Sequence, residues 1–275
     1  MPEGPEIRRT ADRLGRVLQG QALDSVWLAF ESLRHHESQL IGCRVAAVDS
    51  WGKALLVRFA NDRVLYSHNQ LYGVWRIMRR ERTPQTRRSP RVRLSTATHS
   101  AWLFSASDVS LWTVDTLKQH PFLARLGPDP LTHGVTTDQL VSRLGERRFA
   151  GRRLGTLLLD QGFLAGIGNY LRSEILFFAA LAPGVRPREL SDHHLRWLAK
   201  CILDITRRAY RLAGVTNEER WRQPLIEQGW PRRRWRHAVF NREAEPCFFC
   251  GTPIARRMVA SRRLYYCPGC QPGPI

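Results

Sequence analysis

The chain has 275 residues, 43 Lys plus Arg against 24 Asp plus Glu, and a formal net charge of +19. That length supports two or three domains with their own cores, and no apolar run reaches the roughly 18 residues of a membrane helix. The start lacks a signal-peptide apolar core, so a cytoplasmic chain is expected. The only lysines are Lys53, Lys118 and Lys200, so arginine carries the charge. A GC-rich genome also favours arginine over lysine, but it does not create an excess of base over acid. Guanidinium forks match phosphate, which makes a nucleic acid the expected partner.

The chain opens Met1-Pro2-Glu3-Gly4-Pro5-Glu6. If Met1 is removed, as a proline in second place allows, Pro2 becomes a free secondary amine beside a carboxylate. A terminal amine titrates near 7.7–8.0, so roughly a tenth is unprotonated at neutral pH. Attack on a sugar aldehyde carbon would give a cationic iminium, an electron sink. The same residues also suit a plain helix start, with Pro5 in the first turn and acids at the positive end.

Pro5 to Leu18 reads as a helix. Ile7, Ala11, Leu14 and Leu18 form one apolar stripe, and Gly20 closes it. From Ala22 to about Thr113 the period becomes that of strands. The runs are 26–28, 45–48, 54–59, 64–67, 74–78, 92–96 and 102–104, and they predict a β-sandwich carrying the N-terminal helix. Lys53, in Trp51-Gly52-Lys53-Ala54, is either snorkelling or buried. Asn69-Gln70-Leu71-Tyr72-Gly73 joins two strands. Its Leu-Tyr pair is either a wedge for a base stack or ordinary core. Arg79 to Arg91 is a basic loop.

His120 to Pro130 reads as a linker. Helices are predicted over 137–143, 154–160, 169–178 and 191–212. Gln161 to Asn169 contains Gly166 and Gly168 between two helices. It is either a tight structural turn or an anion nest, with Asn169 capping the helix or touching phosphate. Val215 to Arg236, rich in Arg and Trp, is expected to be a flexible loop. Cys43 and Cys201 stand alone and read as buried thiols. Cys247-x2-Cys250-x16-Cys267-x2-Cys270 has the spacing of a four-thiolate tetrahedral zinc site, closed and therefore structural. Two disulfides or an iron–sulfur cluster are the alternatives. Gly251 to Tyr266 is long enough for a β-hairpin carrying Arg256, Arg257, Arg262 and Arg263. The expected domains are 1–119, a linker 120–130, 131–236 with the loop 215–236, and 237–275.

Taken together, Pro2-Glu3-Gly4-Pro5-Glu6, Gly52-Lys53-Ala54, Gly166-Ile167-Gly168-Asn169-Tyr170 and the four cysteines resemble, in order and over essentially the whole chain, the formamidopyrimidine-DNA glycosylase/endonuclease VIII family. Met1 to Arg9 and Tyr66 to Trp75 resemble the endonuclease VIII branch more than the guanine-directed one. The resemblance implies an α+β multidomain fold: a β-sandwich with a leading helix, a helix–two-turn–helix domain and a zinc-finger β-hairpin. It implies a monomeric base-excision enzyme acting on double-stranded DNA with oxidised pyrimidines or abasic sites, with β,δ-elimination and no diffusible cofactor. Pro2 is then the nucleophile, Glu3 the general acid and base, and Lys53 an aid to proton transfer. Arg262 matches the finger arginine tied to δ-elimination and phosphate. Arg263 stands where a proline is familiar, which leaves open which arginine acts. Gln70, Leu71 and Tyr72 match the gap-filling residues, and Arg125 and Asn169 match phosphate contacts. A purine-directed enzyme and a non-catalytic DNA-binding module are the competing readings.

Overall fold

The computed structural model describes residues 2–132 and 134–275, and divides them into two compact units, one ending at Arg125 and the other beginning at Leu126. The first unit starts with α1 (Gly4–Leu18), whose buried side includes Ile7, Ala11, Leu14 and Leu18, the stripe read from the sequence. There follow β1 (Ser25–Leu28), the short helices α2 (Glu31–Arg34) and α3 (Glu37–Leu40), and seven strands. These are β2 (Val45–Trp51), β3 (Ala54–Phe59), β4 (Arg63–His68), β5 (Val74–Arg79), β6 (Pro90–Ser95), β7 (His99–Phe104) and β8 (Asp108–Thr113).

They form two antiparallel four-stranded sheets, in the orders β1-β6-β7-β5 and β2-β3-β4-β8. The sandwich core joins Leu28, Leu94 and Leu103 of one sheet to Leu55, Val57 and Leu65 of the other. Trp75 Nε1 donates to Ser67 Oγ at 3.3 Å, a polar tie inside that layer. Helix α1 packs on β2 and β3. Side chains on both faces of β3 are buried, so Ala54 to Val57 is a continuous apolar run rather than an alternating one.

The second unit holds α4 (Thr137–Gly145), α5 (Arg147–Ala150), α6 (Leu154–Leu157), α7 (Asn169–Phe178), α8 (Asp192–Arg211), α9 (Glu219–Glu227), α10 (Arg232–Trp235) and the hairpin β9 (Ala255–Val259) and β10 (Arg262–Tyr266). Its core gathers Leu140, Leu157, Leu171, Ile175, Leu198 and Ile202 from the helices, together with Leu264 and Tyr266 of β10. The finger therefore shares the helical core. The flexible loop expected over 215–236 is corrected: it contains α9 and α10. These helices left no periodic signal because neither buries a residue, and Pro224 lies inside α9. No helix among the described residues is long and apolar enough to cross a membrane.

Candidate functional site

The first unit carries the expected chemistry-bearing residues. The expected removal concerns Met1, which lies outside the described residues. Pro2 is half-buried, and Glu3, 4% exposed, is the N-cap of α1. Glu6 closes a capping box: its Oε2 accepts the Glu3 N–H at 3.0 Å. The Glu3 backbone is clamped, and its carboxylate sits where the helix end favours negative charge. Lys53 is 8% exposed, so it is buried rather than snorkelling. It occupies a two-residue turn between Trp51 and Ala54, with positive φ at Gly52.

Lys53 has an electrostatic neighbour on β4, His68, which in turn feels Asp108 of β8. His68 Nδ1 accepts the Gln70 N–H at 3.1 Å. Burial holds the His68 pKa below the usual imidazole range, Asp108 opposes this, and the Lys53 cation reinforces it. The ring is therefore neutral, with its proton on Nε2. Tyr66 donates to Asp108 Oδ2 at 3.3 Å, and burial followed by the Asp108 charge raises its phenol pKa. His120 packs on the Tyr66 ring at 3.9 Å, and burial lowers its pKa as well.

The loop after β4 displays its apolar tip. Leu71 and Tyr72 are 61% and 69% exposed, which rules out the core reading. Gln70 has φ of +47°, and its Oε1 accepts Ser107 Oγ at 2.8 Å. Arg88 Nη1 donates to the Tyr72 carbonyl at 2.6 Å. The turn is closed by the Gly73 N–H on the Asn69 carbonyl at 2.7 Å, and a Cβ on Gly73 would lie 2.6 Å from Asn69 backbone atoms. Only glycine fits there. Arg125, exposed, ends the turn Leu123–Arg125 with Nε on the Pro121 carbonyl at 2.8 Å.

In the second unit, Gly168 is the N-cap of α7, so Asn169 is its first helical residue rather than the cap. Gly166 turns the chain with φ of +89°. The Gln161 carboxamide staples that turn, accepting the Gly166 N–H at 3.1 Å and donating to the Leu159 and Ile167 carbonyls at 3.0 and 2.8 Å. Asn169 is half-buried, and its Oδ1 accepts Arg172 Nη2 at 2.6 Å. Arg262 and Arg263 are exposed at the start of β10, across a two-residue turn from Val259.

The four cysteine sulfurs of 247, 250, 267 and 270 all lie within 4.8 Å of one another. Cys247–Cys270, Cys250–Cys267 and Cys250–Cys270 are 3.8, 3.4 and 3.4 Å apart. A zinc ion with sulfurs at about 2.3 Å requires edges of about 3.8 Å, so the cage fits one zinc ion. Burial raises the Cys267 and Cys270 thiols, whereas hydrogen bonding to Thr252 lowers Cys250. A dication would offset the burial penalty on the thiolates.

Residues 1–116 match the formamidopyrimidine-DNA glycosylase N-terminal domain and residues 126–220 the formamidopyrimidine-DNA glycosylase H2TH domain. Endonuclease 8 of Pectobacterium atrosepticum is 46% identical over 271 residues, covering 98% of this chain and all of that protein. The chain belongs to the formamidopyrimidine-DNA glycosylase/endonuclease VIII family. Endonuclease 8 of Escherichia coli K12 matches at the same identity and coverage, which places the chain on the endonuclease VIII branch. Among solved structures, a Lactococcus lactis Fpg complex with N7-benzyl-Fapy-dG DNA aligns with TM-score 0.81 at 21% identity, covering 99% of this chain and 100% of that one. A complex of the same protein with abasic-site DNA aligns at 0.80 and 21%, covering 98% and 100%. These likenesses show the fold: sandwich with leading helix, helix–two-turn–helix unit and cysteine-bearing hairpin.

For a member of this family, Pro2, Glu3, Lys53, Gln70, Leu71, Tyr72 and Arg125 all lie in the first unit, and Asn169, Arg262 and the cysteines in the second. The sequence reading passed over His68, Asp108, Arg172 and Glu174. His68 stood inside a quoted run. Arg172 and Glu174 are the two charges of a mainly apolar helix, a signal present in the sequence itself.

Proposed function

We propose that Pro2 is the nucleophile of this base-excision-repair DNA glycosylase and AP lyase, which acts on oxidised pyrimidines in double-stranded DNA. The observation that carries the reading is the pair of buried charges, Glu3 immediately after Pro2 and Lys53 in the same unit. Once Met1 is removed, the Pro2 amine attacks the deoxyribose C1′ as Glu3 protonates the ring oxygen. The base leaves with a proton, and a cationic iminium remains. That cation acidifies the C2′ hydrogens. Loss of one, with Lys53 assisting proton transfer, expels the 3′ phosphate. A second elimination, aided by Arg262, expels the 5′ phosphate and leaves a one-nucleotide gap. Chemistry at a base requires its rotation out of the stack, at a few kcal/mol, and the exposed Leu71–Tyr72 tip with Gln70 fills the vacated space.

Arg125, Asn169 and Arg262 contact phosphates, which position the strand without reading its sequence. Cys247, Cys250, Cys267 and Cys270 hold one structural zinc, whose thiolate coordination fixes the finger and takes no part in the reaction. The chain acts as a monomer.

Incubation with a thymine-glycol duplex and borohydride should trap a covalent adduct that maps to Pro2 by mass. An N-terminal extension should abolish it. Absence of an adduct with residue 2 confirmed as the free terminus, or mapping of the adduct to a lysine, would refute the assignment. Comparing dihydrouracil with 8-oxoguanine duplexes tests the pyrimidine preference.

A further inference from the structure

The second unit holds a cavity that the base-excision reading does not use. It measures about 620 Å³ and lies among α7, α8, α9 and the finger. That size falls within the range of ligand sites. Phe178, Ile205 and Trp221 give it apolar walls. Trp197 of α8 and Phe249 of the first cysteine knuckle also line it, yet they are 43% and 70% exposed. Phe249 stands edge-on to Trp221 with ring centres 6.5 Å apart. A single exposed apolar side chain is ordinary, but two flanking one apolar cavity mark a binding surface.

The charges around the cavity are unevenly matched. Asp204 accepts Lys200 Nζ at 2.9 Å, and Glu218 accepts Arg220 Nε at 2.7 Å. Arg208 makes no ion pair among the described residues; its Nη1 donates to the Thr216 carbonyl at 2.9 Å, and its guanidinium lies over the Phe178 ring at 5.3 Å. That bond uses one of five donors, so an oriented fork remains for a carboxylate.

We infer that this cavity captures the carboxy-terminal residue of a partner protein, with its apolar side chain among Phe178, Trp221 and Phe249 and its free carboxylate on Arg208. The inference is independent of the DNA chemistry above. Charge complementarity selects this occupant. A nucleic acid repeats its charge along the strand and needs a run of unanswered cations. Here one cation is unanswered, and the carboxylates of Asp204 and Glu218 line the same cavity and repel phosphate. An apolar group bearing a single carboxylate meets both the walls and Arg208. A small metabolite offers the same chemistry but would sit inside the cavity, leaving the outer faces of Trp197 and Phe249 in water. The residues that precede a chain terminus can cover those faces.

The test uses the full, zinc-loaded chain and fluorescein-labelled Gly-Ser-Gly-Ser-Phe and Gly-Ser-Gly-Ser-Leu with free carboxylates, read by anisotropy. At the ligand efficiency usual for ligands of this size, at least one should saturate with a Kd on the order of 10–100 μM. Its carboxamide form should bind about tenfold more weakly or worse, because a hydrogen-bonded charge pair is lost. Arg208→Gln should lose as much and bind the acid and the amide alike. Phe249→Ala should cost about fivefold. Zinc content and cleavage of an abasic duplex should match the wild type in Phe249→Ala. If Arg208→Gln does not fold, the acid–amide comparison on the wild-type chain decides. No saturation below about 1 mM with either peptide, or equal binding of acid and amide, would overturn the inference. So would peptide binding that Phe249→Ala leaves unchanged. Displacement of the peptide by an oligothymidylate would assign the cavity to nucleic acid, and N-acetylphenylalanine binding as tightly as the peptide would assign it to a metabolite. Self-association of the chain that Phe249→Ala abolishes would assign it to a second copy. Each of these three results also overturns the inference.

Discussion

Glu174 offers a stability prediction whose size follows from its bonds. It is fully buried on α7 and accepts four hydrogen bonds. Oε1 takes the N–H groups of Val239 and Phe240, each at 2.8 Å. Oε2 takes the Ala238 N–H at 2.8 Å and the Thr216 hydroxyl at 2.6 Å. The buried Arg242 cation lies close enough for its own charge to feel this carboxylate. Glu174→Gln keeps the shape and replaces one oxygen by a donor. With the amide nitrogen at the Oε2 position, the Thr216 hydroxyl can turn toward His237 Nδ1, 2.9 Å away, and only the Ala238 N–H is stranded. With the amide reversed, two backbone donors are stranded, so the first orientation is preferred. One buried donor left facing another, plus the lost charge, costs about 2–4 kcal/mol. Glu174→Ala strands all four donors and should cost about 3–5 kcal/mol or more. In a unit of this size each kcal/mol moves Tm by roughly 2–4 °C, so Glu174→Gln should lower it by roughly 5–15 °C. Thermal unfolding gives the number, and amide hydrogen exchange at Ala238 to Phe240 gives the location. A Glu174→Gln chain that melts with the wild type and shows unchanged exchange there would refute the reasoning.

Two further outcomes follow from the same structure. The purified chain should release about one zinc ion on chelation, with unfolding of β9–β10 and loss of DNA cleavage, and Cys250→Ser should carry less than one equivalent; metal analysis with circular dichroism checks both. Burial lowers the pKa of His68, His120 and His237, so the folded state favours the neutral rings. Their stabilisation is full above the unfolded value of about 6.5 and is lost as pH falls through the lower folded values, at up to about 1.4 kcal/mol per pH unit for each proton. Denaturant midpoints between pH 7 and 5 should fall, and His120→Asn should flatten the fall.

Much of this was legible in the sequence, and the limits have physical causes. Helix α1, strand β3, and helices α7 and α8 bury periodic or continuous apolar runs, and each was found within a residue or two at its ends. Strand β8 escaped because all six of its residues are only half-buried, leaving a weak alternation of Val109 and Leu111. Helix α9 escaped because its contact is lateral. Trp221 stacks against Phe178 and Phe248, a pairing set by the finger rather than by a stripe along the helix. Among the site residues, local motifs announced Pro2, Glu3, Lys53 and the cysteines. Whether Lys53 was buried, and whether Leu71 and Tyr72 were exposed, depended on the sandwich around them, and sequence reasoning left both open. His68, Arg172 and Glu174 act through partners distant in sequence, and no local spacing encodes those partners.

The placement of buried charge explains why α7 can serve as the hub of the second unit. Residues Tyr170 to Phe177 are all buried, a setting in which a helix normally carries apolar side chains only. Here Arg172, Ser173 and Glu174 survive because their polar groups find partners. Arg172 holds β9, β10 and α6, and Ser173 Oγ accepts the Tyr265 N–H at 3.3 Å while bonding back to the Asn169 carbonyl at 3.1 Å. Glu174 holds Thr216 and the 238–240 backbone that leads into the finger. A buried charge with a missing partner is strongly destabilising, so each of these bonds resists local opening. The residue proposed to hold phosphate, Asn169, begins the same ten-residue helix. Through Arg172 it is hydrogen-bonded to the strand that begins with Arg262. The Gln70–Tyr72 tip is held differently, by Ser107 and Arg88, with the Leu71 and Tyr72 side chains left exposed. Substitutions there should change which base is removed, while substitutions under α7 should change how tightly any damaged duplex is held.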